Sequence, residues 1–136
     1  MRVINVNEFV NRLEEESITY RTNKCSHEEY FNISLPMKSN FIGKLDIELI
    51  FREKYIEYKA IVPISVKQGK EDIGMRLVNE MNSHHEITSY YLEDKSVIKA
   101  RYLLKVSMVM SNDYILSAAY DFARAIDESL CRIFCK

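Results

Sequence analysis

The residues best suited to metal chemistry in this chain are its histidines and its first cysteine. His84 and His85 are adjacent, and Cys25 lies two residues before His27. A zinc site needs four such ligands that converge from separate segments. No C-x-x-C or H-x-x-x-H spacing is present to form half of a site in advance. We therefore interpret the histidines as solvated loop residues and expect no metal.

The two C-terminal cysteines are the second candidate for chemistry. Cys131 and Cys135 are four residues apart, so in a helix they share one face and could hold a soft metal or form a redox pair. A reactive thiol needs a lowered pKa, and Arg132 is the only nearby charge that could lower it. Free cysteine is more commonly a buried, inert side chain. We expect both to be packing residues.

No motif for catalysis or cofactor binding is present. Gly69 and Gly74 have the spacing of a phosphate-binding loop, but Met75 and Arg76 replace the Lys-Ser/Thr pair that the loop requires. Serine, histidine and aspartate occur without a nucleophile elbow or a fixed spacing, and no pair of carboxylates stands out. We expect a protein that is not an enzyme and has no cofactor.

Composition narrows the class of protein further. The chain has 136 residues, a net charge of -1 and 47% hydrophobic residues, as a globular protein does. This charge gives no long-range attraction to nucleic acid or anionic membrane. The start lacks the apolar core of a signal peptide, and no stretch approaches the roughly 20 apolar residues of a membrane helix. We expect a cytoplasmic protein that binds neither nucleic acid nor membrane.

Hydrophobic periodicity predicts the elements of the first half. Apolar residues at helical spacing predict one helix, and alternating apolar and polar residues predict strands. Pro36 and Pro63 are predicted to end the second and fourth strands. The helix covers residues 6–16, and the strands cover 18–22, 31–35, 45–52 and 55–62.

The second half follows a helix, hairpin, helix pattern. A short amphipathic helix is predicted over 73–81, with Gly74 on its surface. Two alternating strands then meet at a turn over 93–96. The closing helix has Ser111 as its predicted N-cap and an apolar stripe that continues to Ile133.

These elements predict an α+β fold in a single domain, residues 1–136. The order α-β(3-4)-α-β-β-α, with short turns between strands, favours an antiparallel sheet with helices packed on one face.

The helix that ends in Leu77-Val78-Asn79-Glu80-Met81-Asn82, before a hairpin and a long last helix, resembles the YbjN family and the type III secretion chaperone-like superfamily. The resemblance covers roughly residues 45–134, and Asn82 is its best single match. It implies a small dimer-forming scaffold, in some relatives one that binds an extended segment of a partner. It implies no catalytic residues.

The second face of the predicted sheet is the candidate interface. Ile87, Tyr91, Leu103 and Ile50 place large side chains on it. They would form an exposed patch, typical of an interface, unless a helix or loop crosses that face.

The basic residues of the second hairpin strand lie beside this patch. Lys99, Arg101 and Lys105 could form an anion site. The alternative is that they pair across the strands with acidic residues, for which Asp46, Glu48 and Glu57 are the candidates.

The leading hypothesis is a non-enzymatic, chaperone-like binding or scaffold protein. It forms a homodimer through the second sheet face or the last helix, and it binds a protein or peptide partner. The alternative is a small-molecule carrier with a cavity between the last helix, at Phe122 and Ile126, and the sheet, in which tyrosines would line the pocket. Single-stranded nucleic-acid binding on tyrosine platforms ranks last, because the chain lacks positive net charge.

Overall fold

A computed structural model gives the fold over residues 6–24, 31–39, 43–83, 88–106 and 111–134. Within these ranges the elements, in chain order, are α1 (Val6–Glu15), β1 (Arg21–Lys24), β2 (Phe31–Ser39), β3 (Gly43–Phe51), β4 (Tyr55–Ser65), α2 (Glu71–Ser83), β5 (Ser89–Glu93), β6 (Val97–Lys105) and α3 (Asn112–Phe134).

The six strands form one antiparallel sheet in the order β1-β2-β3-β4-β6-β5. The first four strands follow one another as neighbours. The β5–β6 hairpin then adds to the sheet through its second strand, so that β6 lies beside β4 and β5 becomes an outer strand. The predicted α+β class and the antiparallel sheet are confirmed.

The three helices pack on one face of this sheet. Strand residues alternate between that face and the opposite one, and the helices supply the other half of a single buried cluster. The ring of Phe9 in α1 lies 5.4 Å from that of Phe51 in β3, and the ring of Phe122 in α3 lies 6.1 Å from that of Tyr58 in β4. The predicted packing of helices on one face is therefore confirmed.

Buried hydroxyl groups fix α3 against the strands. The hydroxyl of Tyr58 donates a 2.8 Å hydrogen bond to the carbonyl oxygen of Ile115, and the hydroxyls of Tyr90 and Ser129 are 2.7 Å apart. At the start of the helix, the Oγ of Ser111 accepts a 3.1 Å hydrogen bond from the backbone N–H of Tyr114, three residues further along, which confirms the predicted N-cap.

The two prolines lie within strands, where the sequence predicted that they would end them. Pro36 pairs in register with Asp46 of β3, and β1 pairs with β2 only as far as Ser34. Beyond Ser34 the edge of β2 is free of β1, and a free edge tolerates the missing N–H of proline. Pro63 lies at a shift of register in the β4–β6 ladder, and such a bulge accommodates it in the same way.

Gly74 is buried, whereas the sequence predicted a glycine on the helix surface. A Cβ atom at this position would lie 2.9 Å from one methyl group of Val66 and 3.4 Å from the side chain of Leu92. Glycine therefore lets the first turn of α2 lie close against the end of β4 and against β5.

Candidate partner-binding face

The sheet surface opposite the helices is the candidate site, and we call it the outer face. It carries the alternate side chains of the strands, and no described helix crosses it. Ile61 of β4 is 60% exposed on this face, and Leu103 of β6 is 46% exposed. Among the described residues, these are the large apolar side chains that the strands of this face expose most.

The residues predicted for this interface have different environments. Leu103 is exposed as expected, and Tyr91 lies on the same face but is half-buried. The expectation that Ile50 is exposed is wrong, because this side chain is on the outer face but only 4% exposed. It is flanked in register by Asn32 and Glu57, so neighbouring strands enclose it. Ile87 lies outside the described residues.

A buried carboxylate organises the middle of the outer face. The side chain of Glu57 is 3% exposed and forms ion pairs with Arg52, at 3.1 Å, and with Arg101. Two guanidinium groups on one carboxylate satisfy its oxygens where water is excluded. The pairing of Arg101 with Glu57 is the cross-strand pairing that the sequence predicted as the alternative to an anion site.

Two further ion pairs lie on the outer face. Lys99 pairs at 2.6 Å with Glu93, and this hydrogen bond raises the pKa of the Lys99 ammonium group above its usual range. Arg21 lies 3.5 Å from Asp46. In the described part of the chain, Lys59 forms no ion pair, although it stands in register between Glu48 and Arg101.

Charge is divided between the two sides of the molecule. The described strand side chains on the outer face include seven basic and four acidic groups, so this face has a net charge of +3. The three helices together carry ten acidic and four basic groups, a net charge of -6. The overall charge of -1 therefore conceals a positive sheet face and a negative helix layer.

A shallow groove of about 400 Å³ crosses the positive face. It runs from β1 to β6, and the residues that line it are Arg21, Ser34, Asp46, Glu48, Lys59, Ala60, Ile61 and Lys99. The groove combines fixed charges with the exposed methyl groups of Ile61. Such a surface can hold an extended chain by ion pairs and one apolar contact.

Sequence reasoning missed Lys59 and Ile61. The alternation in β4 correctly assigned Ile56, Tyr58 and Ala60 to the core face. The same alternation places Lys59 and Ile61 on the opposite face, so the signal was in the sequence.

The interface between α3 and the sheet is filled by side chains. Phe122 is 2% exposed, Ile126 and Tyr58 are fully buried, and burial raises the pKa of Tyr58 above its usual range. The carrier hypothesis required a cavity at Phe122 and Ile126, and the described residues give it no support there.

The described part of the structure does not support metal or thiol chemistry at the candidate cysteines and histidines. Cys131 is exposed, so its predicted role as a buried packing residue is wrong. Cys25, Cys135 and all three histidines lie outside the described residues. Among the residues that are described, no three His, Cys, Asp or Glu side chains converge as metal ligands. Within the same ranges, no helix has both the length and the apolar character to cross a membrane.

The fold of the chain is similar to that of a known protein, as the following comparisons show. At the level of sequence, neither a family model nor a curated protein matches the chain. The crystal structure of YbjN, a proposed transcription regulator from E. coli, is similar with a TM-score of 0.68. The alignment covers 93% of this chain and 89% of that one, at 14% sequence identity. The chain therefore has a YbjN-like fold, as the resemblance over roughly residues 45–134 implied.

Proposed function

We propose that the chain is a non-enzymatic binding protein that uses the outer face of its sheet to hold a protein partner. The observation that carries the proposal is the open groove lined by Ile61, with Leu103 exposed further along β6, on a face that no described helix covers. A sheet with helices on one side only has no structural need for large apolar groups on the other.

The state of the charged groups supports binding over catalysis. Glu57 is buried between two arginines, and Glu93 is engaged by Lys99. A general acid or base needs a proton that it can exchange with a substrate, and a carboxylate held between guanidinium groups is poorly suited to this. These groups instead form a rigid, pre-arranged surface, which lowers the entropy cost of binding.

Self-association belongs to the same proposal. A homodimer would have a mass of about 32 kDa, twice 16.1 kDa. The net charge of +3 on each outer face opposes the pairing of two such faces. The last helix α3 is the better surface, because it exposes Tyr114 (55%) and Tyr120 (47%) and aromatic side chains often anchor interfaces.

The experiment compares partner capture by matched variants. Leu103 in β6 and Ile73 in α2 are equally exposed, at 46%, but they lie on opposite sides of the molecule. The unaltered protein, Leu103→Lys and Ile73→Lys are each immobilised and used to capture proteins from the native cell. We expect at least one protein to be retained by the first and third baits and lost from Leu103→Lys. Capture that is the same for all three baits would contradict the proposal.

A further inference from the structure

We propose that the partner segment held by the outer face is an acidic one, an extended peptide in which Glu or Asp alternates with apolar residues. This inference rests on the proposed function, since it names the chemistry of the partner. It begins from the segregation of charge, which gives the strands of the outer face a net charge of +3 and the helices a net charge of -6.

The surplus positive charge lies over β4 and β6. The outer-face side chains of these two strands include one acidic group, Glu57, and four basic groups, Lys59, Lys99, Arg101 and Lys105. Among the described residues none forms an ion pair with Lys59, which stands in register between Glu48 and Arg101. An acidic side chain placed between Lys59 and Arg101 would therefore meet two cations on a pair of strands where basic side chains outnumber acidic ones.

Of the two acidic residues of the groove, Glu48 is the one that stands in register with Lys59. Asp46 is already paired with Arg21, and an oxygen of Glu48 accepts a 3.1 Å hydrogen bond from the amide of Asn32. Both lie on β3, at one side of the surplus charge. The acidic groups of a partner would lie over β4 and β6, and its apolar residues could lie over β3.

The dimensions of the groove suit a short extended segment. It reaches from β1 to β6, which spans four strand separations, or about 19 Å at about 4.8 Å each. An extended peptide advances about 3.3 Å per residue, so about six residues would fit across it. Ile61, 60% exposed in the groove, offers a contact for the apolar residues of the segment.

Two other occupants fit the observations less well. A second copy of the outer face would bring one net charge of +3 against another. Nucleic acid carries a negative charge at every nucleotide and would bring phosphates over Asp46 and Glu48, whereas an alternating peptide can place apolar residues there. Both remain as outcomes of the test.

The test uses labelled probes and matched variants. The probes are fluorescein-labelled peptides of about eight residues that alternate Leu with Glu, Gln or Lys, and an oligothymidylate of similar length. Binding is measured by fluorescence anisotropy at low and high salt. The variants are Lys59→Glu, Lys59→Gln, the conservative Lys59→Arg, and Lys67→Glu. The last makes the same change of charge at an exposed lysine outside the groove. Circular dichroism checks that each variant folds.

We expect the Glu peptide to bind more tightly than the Gln and Lys peptides, and high salt to weaken it. Lys59→Glu should weaken it about fivefold or more and Lys59→Gln by less, while Lys59→Arg and Lys67→Glu leave it nearly unchanged. Failure of the Glu peptide to bind at low salt, or equal losses in Lys59→Glu and Lys67→Glu, would overturn the inference. Tighter binding of the oligothymidylate would overturn it in favour of nucleic acid. Self-association lost in Lys59→Glu would overturn it in favour of a second copy.

Failure of this inference is distinct from failure of the proposed function. If the Glu peptide does not bind but Leu103→Lys still abolishes capture of the cellular partner, only the chemistry assigned to the partner is wrong. If Leu103→Lys also leaves capture intact, the binding role of the outer face is wrong as well.

Discussion

The side chain of Asn82 pairs with the backbone of Tyr90 through two hydrogen bonds. Its amide nitrogen donates to the Tyr90 carbonyl oxygen at 2.8 Å, and its amide oxygen accepts from the Tyr90 N–H at 2.7 Å. Tyr90 lies in β5, the outermost strand on its side of the sheet. Asn82 thus takes the place that a further strand would have, and it joins the end of α2 to the sheet edge.

Replacing this asparagine should destabilise the fold. We expect Asn82→Ala to lower the free energy of unfolding by about 1–2 kcal/mol, because two backbone groups at a partly buried edge lose their partners. Asn79→Ala is the control, since Asn79 lies on the same helix and is exposed. Urea denaturation measures both variants, and equal stability of the two would show that the Asn82–Tyr90 pair contributes nothing.

Alanine at position 74 should also destabilise the protein, although alanine is the better helix former. Its propensity gain of about 1 kcal/mol is opposed by contact of the new methyl group with Val66, and overpacking costs about 1–3 kcal/mol. We expect a net loss of about 1 kcal/mol in thermal or urea unfolding. The double variant Gly74→Ala with Val66→Ala removes the obstructing side chain. The effect of Gly74→Ala should turn neutral or stabilising in that background, and a loss that persists there would refute the steric explanation.

Buried tyrosines should make the fold sensitive to alkaline pH. Burial raises the pKa of Tyr90 to about 12, from 10.0 for a free side chain. The hydroxyl of Tyr90 is held neutral in the folded protein. Its contribution to the free energy of unfolding is therefore fully present below pH 10 and is lost as the pH rises from 10 through 12. A shift of this size corresponds to roughly 3 kcal/mol when complete. Stability measured against pH should fall steeply in this window, and less so in Tyr90→Phe, which cannot ionise. An equal fall in both would exclude Tyr90 as a cause.

Self-association is tested by light scattering across a range of protein concentrations. We expect the mass to approach about 32 kDa (twice 16.1 kDa) at high concentration. Tyr120→Lys should weaken the dimer, because Tyr120 is exposed on α3, whereas Leu103→Lys on the outer face should leave it unchanged. A strictly monomeric protein would refute dimerisation. If Leu103→Lys weakened the dimer and Tyr120→Lys did not, the interface would be on the outer face instead.

The sequence was a good guide wherever local periodicity decides the structure. The alternation through β3 assigned Leu45, Ile47 and Leu49 to the core, where all three are buried. It failed where a neighbour distant in sequence decides. Pro36 is tolerated because β1 stops short of it, and Gly74 is required because Val66 lies beside it.

The candidate site was only partly predictable for a related reason. Net charge sums over both sides of the molecule, so the positive outer face became visible only when the strand register assigned each charge to a face. The burial of Ile50 depends in the same way on Asn32 and Glu57, which the register places on either side of it.

The central claim is that the outer face binds an extended acidic segment of a protein partner, and amide chemical-shift mapping tests it most directly. The isotope-labelled protein is titrated with the Glu/Leu peptide. We predict that the shifted amides cluster in β3, β4 and β6 around Lys59, Ile61 and Lys99, which line the groove. Shifts confined to the helices, or none at all at saturating peptide, would contradict the account.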